Sequence, residues 1–356
     1  MKNVYNTTKI TNKMKCICNF LMYRSLLNPN LVFSDKMNTN IKSVDFDREE
    51  IHNSEELFNH LKNEMAKSTY DGKAALMLSG GIDSQILASF MPKGSQTYTF
   101  KCVVQDYEVI DETPKARYFA KLNKLKNTVI EMYWEDFEKY SSILMEHKGA
   151  PIHSIEVQIY KSALKAKEDG FSKVIFGENA DIIYGGMDGL LAKDWLIGDF
   201  IERYSYVAPY KVLCSPVCDY NYFCDFEKDG FIDAYGFINE YFRLEALNSY
   251  INACETAGVE LIIPYATSKL VVPLDLERIR SGDTKYLVRE VFKKLYPNEE
   301  MTPKIPMPRP MDIWLKDYSG PEGKAIFHDN CALNMSGDQK WMLWALEKFL
   351  NILENK

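Results

Sequence analysis

The chain reads as an α/β protein built on a parallel sheet, and three observations predict it. Short apolar segments alternate with helix-length segments between residues 55 and 180. Such alternation marks βαβ units, whose parallel sheet is covered on both faces. Two of the apolar segments run directly into glycine-containing turns, Ser79-Gly80-Gly81-Ile82-Asp83-Ser84 and Gly177-Glu178-Asn179-Ala180-Asp181. Turns at the carboxyl ends of parallel strands are where open α/β sheets place their ligands. Finally, 356 residues with an apolar fraction of 46% can bury a large core, as one big domain or two.

The elements follow in order. Residues 1–50 are polar, Asn-rich and without a period, and read as an irregular N-terminal extension; residues 51–356 read as the functional domain. Asn53-Ser54 can start a helix over residues 55–67, where Leu57, Phe58, Leu61 and Met65 form one stripe. Residues 74–78 are the first core strand, and 97–104, rich in β-formers, the second. A helix over 111–124 leads to a third strand at 128–132. Helices over 137–147 and 156–168 precede the fourth strand, Ser172-Lys173-Val174-Ile175-Phe176. Residues 187–300 read as mostly helical, with an aromatic-rich region at about 187–260. Tyr204, Tyr206, Tyr210, Tyr220, Tyr222 and Phe223 belong to it and read first as core. Residues 340–353 form a closing amphipathic helix.

Composition excludes several classes. A net charge of −7 argues against a duplex nucleic-acid binder. No apolar run approaches the ~20 residues of a membrane span. The short apolar stretch from Cys16 to Tyr23 is interrupted by Asn19 and carries no cleavage signal, so the cytoplasm is the expected compartment. Eight cysteines in a chain this long do not make a disulfide framework. Cys214, Cys218 and Cys224 are close together but match no zinc pattern, and read as free or buried thiols. The five histidines are scattered.

The first turn carries the chemistry. An apolar strand, a Gly-rich turn and a helix start together form a phosphate cradle, with backbone N–H groups and the helix dipole facing the anion. Ser79 and Ser84 add hydroxyl donors. Asp83 would repel a bare phosphate, but makes sense with Mg²⁺ between carboxylate and phosphate. The turn lacks the Lys-Ser/Thr ending of the Walker loop and the third glycine of the dinucleotide fingerprint. It resembles the SGGxDS motif of the PP-loop ATP pyrophosphatases, which implies a HUP-like sheet and cleavage of ATP between the α and β phosphates.

Four further blocks narrow the resemblance. Residues 177–186, with Gly177, Glu178, Ala180, Asp181, Gly185 and Gly186, resemble the SGEGADExFGGY motif of asparagine synthetases. Gly258-Val259-Glu260-Leu261-Ile262-Ile263-Pro264-Tyr265 is similar to that family's GVExRxPFLD segment. Lys285-Tyr286-Leu287-Val288-Arg289-Glu290 resembles its KxxLRE helix, and Pro303-Lys304-Ile305-Pro306 its lysine loop, followed by Trp314. The blocks stand in the family's order over about residues 70–315.

The resemblance implies ATP-dependent amide formation through an acyl-adenylate, with AMP and pyrophosphate as products. It implies an ATP site of Leu78, Ser79, Gly80, Gly81, Asp83, Ser84, Phe100, Gly177 and Lys285, with Mg²⁺ on Asp83 and Asp181. Lys304 would reach the phosphates as a mobile charge, and Glu178 would orient or deprotonate the amine. Lys285 and Arg289 either support the same anionic region or form helix-surface ion pairs.

Departures bear on the acceptor. Ile182, Ile262 and Thr267 stand where the family has Glu, Arg and Asp; Phe176 replaces a Ser; and no arginine occurs between Arg117 and Arg203. A guanidinium is the natural clamp for a free carboxylate, so an acid other than aspartate is expected. Lys161 or His153 could take over that role from a shifted position. Only some 70 residues precede the first strand, against about two hundred in the family's glutaminase domain, whose nucleophile is an N-terminal cysteine; Lys2 follows Met1 here. The expected nitrogen source is free ammonia, a separate glutaminase subunit or an amine on the substrate. Alternatives are a PP-loop enzyme that modifies RNA or another small molecule, a β-lactam-synthetase-like ring closure, and a non-catalytic nucleotide binder.

Overall fold

Five parallel strands carry the architecture: β1 (Ala74–Met77), β2 (Gln96–Cys102), β3 (Lys126–Met132), β4 (Lys173–Ile175) and β5 (Glu260–Ile262). The computed structural model describes residues 9–42, 47–301 and 307–356. Strand order across the sheet is β5-β4-β1-β2-β3. Ala74 pairs with Lys173 on one side of β1, and Leu76 with Thr97 on the other. The order runs outward from β1 in both directions. β1 and β4 therefore flank the switch point, where crossovers leave to opposite faces and a crevice opens at the carboxyl ends.

Alternation along β1 feeds two cores. Ala75 and Met77 face one layer with Val174 of β4, Tyr98 of β2 and Ile130 of β3. That layer is made by the helices Trp134–Lys148, Ile155–Glu168, Arg243–Ala257 and Gly337–Glu354. Ala74, Leu76 and Ile175 face the other layer, made by Ser54–Thr69, Ile82–Phe90, Thr113–Leu122 and Tyr286–Leu295. Neither face of the strand meets solvent, and this explains its run of apolar residues. Asn53 caps the Ser54–Thr69 helix by accepting the Glu56 N–H, and Ser336 with Gln339 forms a capping box at the last helix.

Two sequence expectations need correction. The first 50 residues are not all irregular: Lys13–Tyr23 is a helix, capped by Asn12 and ended at Arg24 in the left-handed region. Cys16 to Tyr23 are buried throughout, including Asn19, and Phe20 and Leu21 join the core that holds Trp341 and Phe349. A helix apolar on all sides presents no stripe to detect. The region 187–300 is also less helical than expected. It contains the edge strand β5 and an antiparallel pair, Glu227–Lys228 with Phe231–Ile232. Tyr204 and Phe223 do form an aromatic core, with Phe200, Phe237 and Tyr23, whereas Tyr210 and Tyr220 are exposed.

Among the described residues no helix is long and apolar enough to cross a membrane.

Candidate active site

The switch point holds a cleft with both motif loops in its wall. Leu78, Ser79, Gly81, Asp83, Ser84, Phe100, Gly177, Glu178, Asp181 and Lys285 line it, and each was expected there from the sequence. It encloses about 1160 Å³ of non-atom space, open mouth included. Lys304 falls outside the described residues.

The first loop is already ordered by its own groups. The Ser79 N–H donates to Ser84 Oγ at 3.0 Å, the Gly81 N–H to Ser79 Oγ at 3.1 Å, and the two hydroxyls lie 3.0 Å apart. Gln85 Nε2 donates to the Gly80 carbonyl at 2.7 Å. Gly80 does not line the cleft itself; its N–H is held by the carboxyl of Glu112.

The second loop abuts the first, and its glycines show why. A Cβ on Gly177 would stand 3.0 Å from the Ser84 nitrogen, so glycine lets the β4 turn lie close against the start of the Ile82–Phe90 helix without crowding it. A Cβ on Gly186 would stand 2.1 Å from Asp181 Oδ1. Asn179 takes a φ of 71° where the resembling motif has glycine. Asn is among the side chains that best tolerate that region.

The closest contact between the loops is ionic. Lys285 Nζ lies 2.7 Å from Asp83 Oδ2 and 2.9 Å from Asp181 Oδ1. Lys285 itself sits at φ 52°, just before the Tyr286–Leu295 helix. Burial pulls the lysine pKa down, but the facing carboxylates of Asp83 and Asp181 outweigh it and hold the ammonium above its usual range. A cation bridging both aspartates is a stand-in for the metal the sequence suggested. Two carboxylates suit Mg²⁺, which keeps several waters and takes phosphate oxygens for the rest. Arg289 also lines the cleft; its Nη2 reaches Thr284 Oγ1 at 3.3 Å, and its buried Nε has no hydrogen-bond partner among the described residues. Both cations thus line the cleft.

Toward the acceptor end, Glu178 is hydrogen-bonded to the hydroxyl of Tyr250, whose ring meets Phe176 edge-on at 4.9 Å. Burial, then the negative charge of Glu178, push the Tyr250 phenol well above its ordinary pKa, so it stays a donor. Met301 and Met307 also line the cleft. Sequence reasoning missed Glu112 and Tyr250. Neither lies in a motif, and Tyr250 sits in a helix that offers only a burial signal.

Of the altered positions Phe176 lines the cleft, and the other three fall elsewhere. Ile182 is 1% exposed in the aromatic core, Ile262 lies on β5 outside the cleft, and the Thr267 hydroxyl donates to the Pro264 carbonyl beside His60. Lys161 pairs with Asp136, and His153 is buried with Nδ1 accepting the Ile155 N–H, so neither lines the cleft. Trp314 packs on Phe137 and Trp134, away from the site. Cys218 is hydrogen-bonded to Cys18, Cys214 approaches His328 Nδ1 at 3.7 Å, and Cys224 is exposed. Among the described residues no group of three or more His, Cys, Asp and Glu is arranged to hold a metal.

A β1 phosphate loop and a β4 acidic loop meeting at the switch point define a nucleotide-binding α/β domain of PP-loop type. The family model for asparagine synthase matches residues 60–231, just under half of the chain. No curated protein sequence matches the chain. Among solved structures, an NMN synthetase from Francisella tularensis matches at 11% identity over 72% of this chain and 100% of its own, with a TM-score of 0.27. A tRNA thiolase from Methanococcus maripaludis matches at 15% identity over 70% of this chain and 83% of its own, with a TM-score of 0.25. Scores that low do not bear on function.

Proposed function

We propose that this protein joins an amine to a carboxylic acid, using ATP to make an acyl-adenylate and releasing AMP and pyrophosphate. The observation that carries the proposal is the convergence of Asp83 and Asp181 on one buried cation, beside the serine-lined β1 loop. The two aspartates come from loops on adjacent strands, so a triphosphate laid on the first loop would also face the second.

In the first step a substrate carboxylate oxygen attacks the α-phosphorus, the bond to the β phosphate breaks, and pyrophosphate leaves. This step needs positioning and charge neutralisation more than a protein nucleophile. Ser79, Ser84 and the loop N–H groups would hold the pyrophosphate portion, and Lys285 and Arg289 would face its charge. Asp83 and Asp181 would hold Mg²⁺, which supplies the remaining neutralisation when bound. In the second step the amine attacks the activated carbonyl, AMP departs, and Glu178 takes the proton released from nitrogen. The Tyr250 hydroxyl fixes which way that carboxylate points. The adenine side would rest on Leu78 and Phe100.

The acid we propose is one with an apolar body rather than aspartate. Tyr250 is hydrogen-bonded to Glu178 and packs on Phe176, and Met301 and Met307 also line the cleft, whose described cations are Lys285 and Arg289. The test is pyrophosphate release across a panel of acids with ATP and Mg²⁺, with and without ammonia. Acid-dependent AMP and pyrophosphate are expected; ADP as the acid-dependent product would refute the proposal. Efficient asparagine formation from aspartate and ammonia would refute the choice of acid alone.

A further inference from the structure

Glu112 is a carboxyl in a place built for phosphate. It lines the cleft, and its side chain accepts the N–H of Gly80, the central peptide of the β1 loop. The contact is close: a Cβ on Gly80 would stand 2.9 Å from Glu112 Oε1 and 3.3 Å from its Cβ. The backbone of Glu112 cannot easily withdraw. It begins the Thr113–Leu122 helix, its carbonyl accepts the Ala116 N–H at 3.0 Å, and neighbouring Asp111 accepts the Thr113 N–H at 2.9 Å while pairing with Lys101 at 2.7 Å. A polyanion arriving on the same loop meets this carboxylate, and loss of its charge relieves the contact without moving the backbone.

We propose that Glu112 is a working part of the nucleotide site: it braces the empty loop through Gly80, and takes up one proton from solvent as the triphosphate binds. The inference rests on the nucleotide reading above and goes beyond it. The reaction balances simply, since carboxylate plus one proton gives the neutral acid. A neutral carboxyl can still accept the Gly80 N–H through its carbonyl oxygen, while its new O–H donates to a phosphate oxygen. A repulsive contact is thereby exchanged for a hydrogen bond.

The surroundings favour this. Burial pushes the Glu112 pKa up to about 7, the Gly80 N–H opposes that shift, and Asp111 adds to it. Among the described residues no salt bridge to the carboxyl is formed; Lys101 is engaged by Asp111, and Lys285 by Asp83 and Asp181. Across the cleft the charged groups are Asp83, Asp181 and Glu178 against Lys285 and Arg289. An incoming phosphate chain adds negative charge, which raises the proton affinity of Glu112 further. The sign is fixed. Below about pH 7 the proton is already present and binding is independent of pH; above it, binding must recruit a proton, and affinity falls roughly tenfold per pH unit.

The test is calorimetric binding of the magnesium complex of α,β-methylene-ATP, which cannot be cleaved at the reacting bond. Titrations at several pH values above neutrality, in buffers of different ionisation enthalpy, count the protons taken up. The wild-type protein should take up close to one proton per nucleotide at about pH 8 and show the tenfold slope. Glu112→Gln, a neutral side chain of the same shape that still accepts the Gly80 N–H, should bind at least as tightly at that pH, with no uptake and no slope. Glu112→Ala should also lose the slope, but bind more weakly than Glu112→Gln because the brace is gone. Nucleotide binding without proton uptake in the wild type, or an unchanged slope in Glu112→Gln, would overturn the role of Glu112 while leaving the nucleotide site intact. Absence of nucleotide binding at every pH would overturn the site itself, and the inference with it.

Discussion

Replacing Lys285 by Met tests the cation position without any turnover. The ammonium is 7% exposed and lies between carboxylates at 2.7 and 2.9 Å. At an effective dielectric of about 20, unit charges near 2.8 Å attract by about 6 kcal/mol, before desolvation is subtracted. Removing one partner of a buried ion pair costs about 3–5 kcal/mol, because charge is left uncompensated. Asp83 and Asp181 keep some solvent, at 17% and 26% side-chain exposure, so the low end applies. Lys285→Met should therefore destabilise the ligand-free protein by about 3 kcal/mol. Without the ammonium between them, the two carboxylates should bind a divalent cation more tightly than in the wild type. With a dissociation constant of about 1 mM, about 10 mM Mg²⁺ would restore about 1.4 kcal/mol. Urea unfolding of both proteins, with and without Mg²⁺, measures this directly. A variant as stable as wild type, or a Mg²⁺ stabilisation no larger in the variant, would refute the claim that Lys285 holds the metal's place.

Three further outcomes are expected. Asp83→Asn and Asp181→Asn should each lower acid-dependent pyrophosphate release on the order of 10²-fold or more, since each removes a carboxylate facing the metal-bound triphosphate; near-normal release from both would exclude the assignment. Gly186→Ala puts a Cβ 2.1 Å from Asp181 Oδ1 and should cost activity through Asp181; full activity would show that the loop yields freely. Tyr250→Phe removes a donor to Glu178, and a carboxylate that loses a donor becomes more basic. The acid limb of the kcat profile should then move to higher pH with little change in KM for ATP, and an unmoved limb would detach Glu178 from proton transfer.

The central strands were legible because each is a short apolar or β-branched run cut off by a turn. Both motif loops were legible because glycine and aspartate at fixed offsets have few other uses after a strand. The Lys13–Tyr23 helix was not, since an apolar run buried on all sides has no helical stripe and Asn19 looked like a break. β5 was hidden by its length: Glu260–Ile262 is an edge strand of three residues whose partners lie some 87 positions away. Glu112 sits at a helix start, where a carboxylate is ordinary, and only the fold shows that it reaches Gly80. The three altered motif positions were legible as changes but not as to place. Ile182, Ile262 and Thr267 lie off the cleft wall, so the argument about the acid passes to Phe176 and Tyr250.

Charge explains why these parts need one another. Four carboxylates line the cleft, Asp83, Glu112, Glu178 and Asp181, against two described cations, Lys285 and Arg289. A triphosphate entering that field with no further positive charge would meet net repulsion. Each carboxylate nevertheless has a separate way to tolerate the ligand. Asp83 and Asp181 share a cation; Glu112 sits near neutrality; Glu178 is held by a phenol at the acceptor end. The two aspartates are 98 residues apart, and where their loops meet, Gly177 lies against Ser84. A Cβ there would stand 3.0 Å from the Ser84 nitrogen and require the two loops to shift by a few tenths of an ångström. Site geometry and local stability are thus set by the same contact, and a substitution at Gly177 should disturb both together.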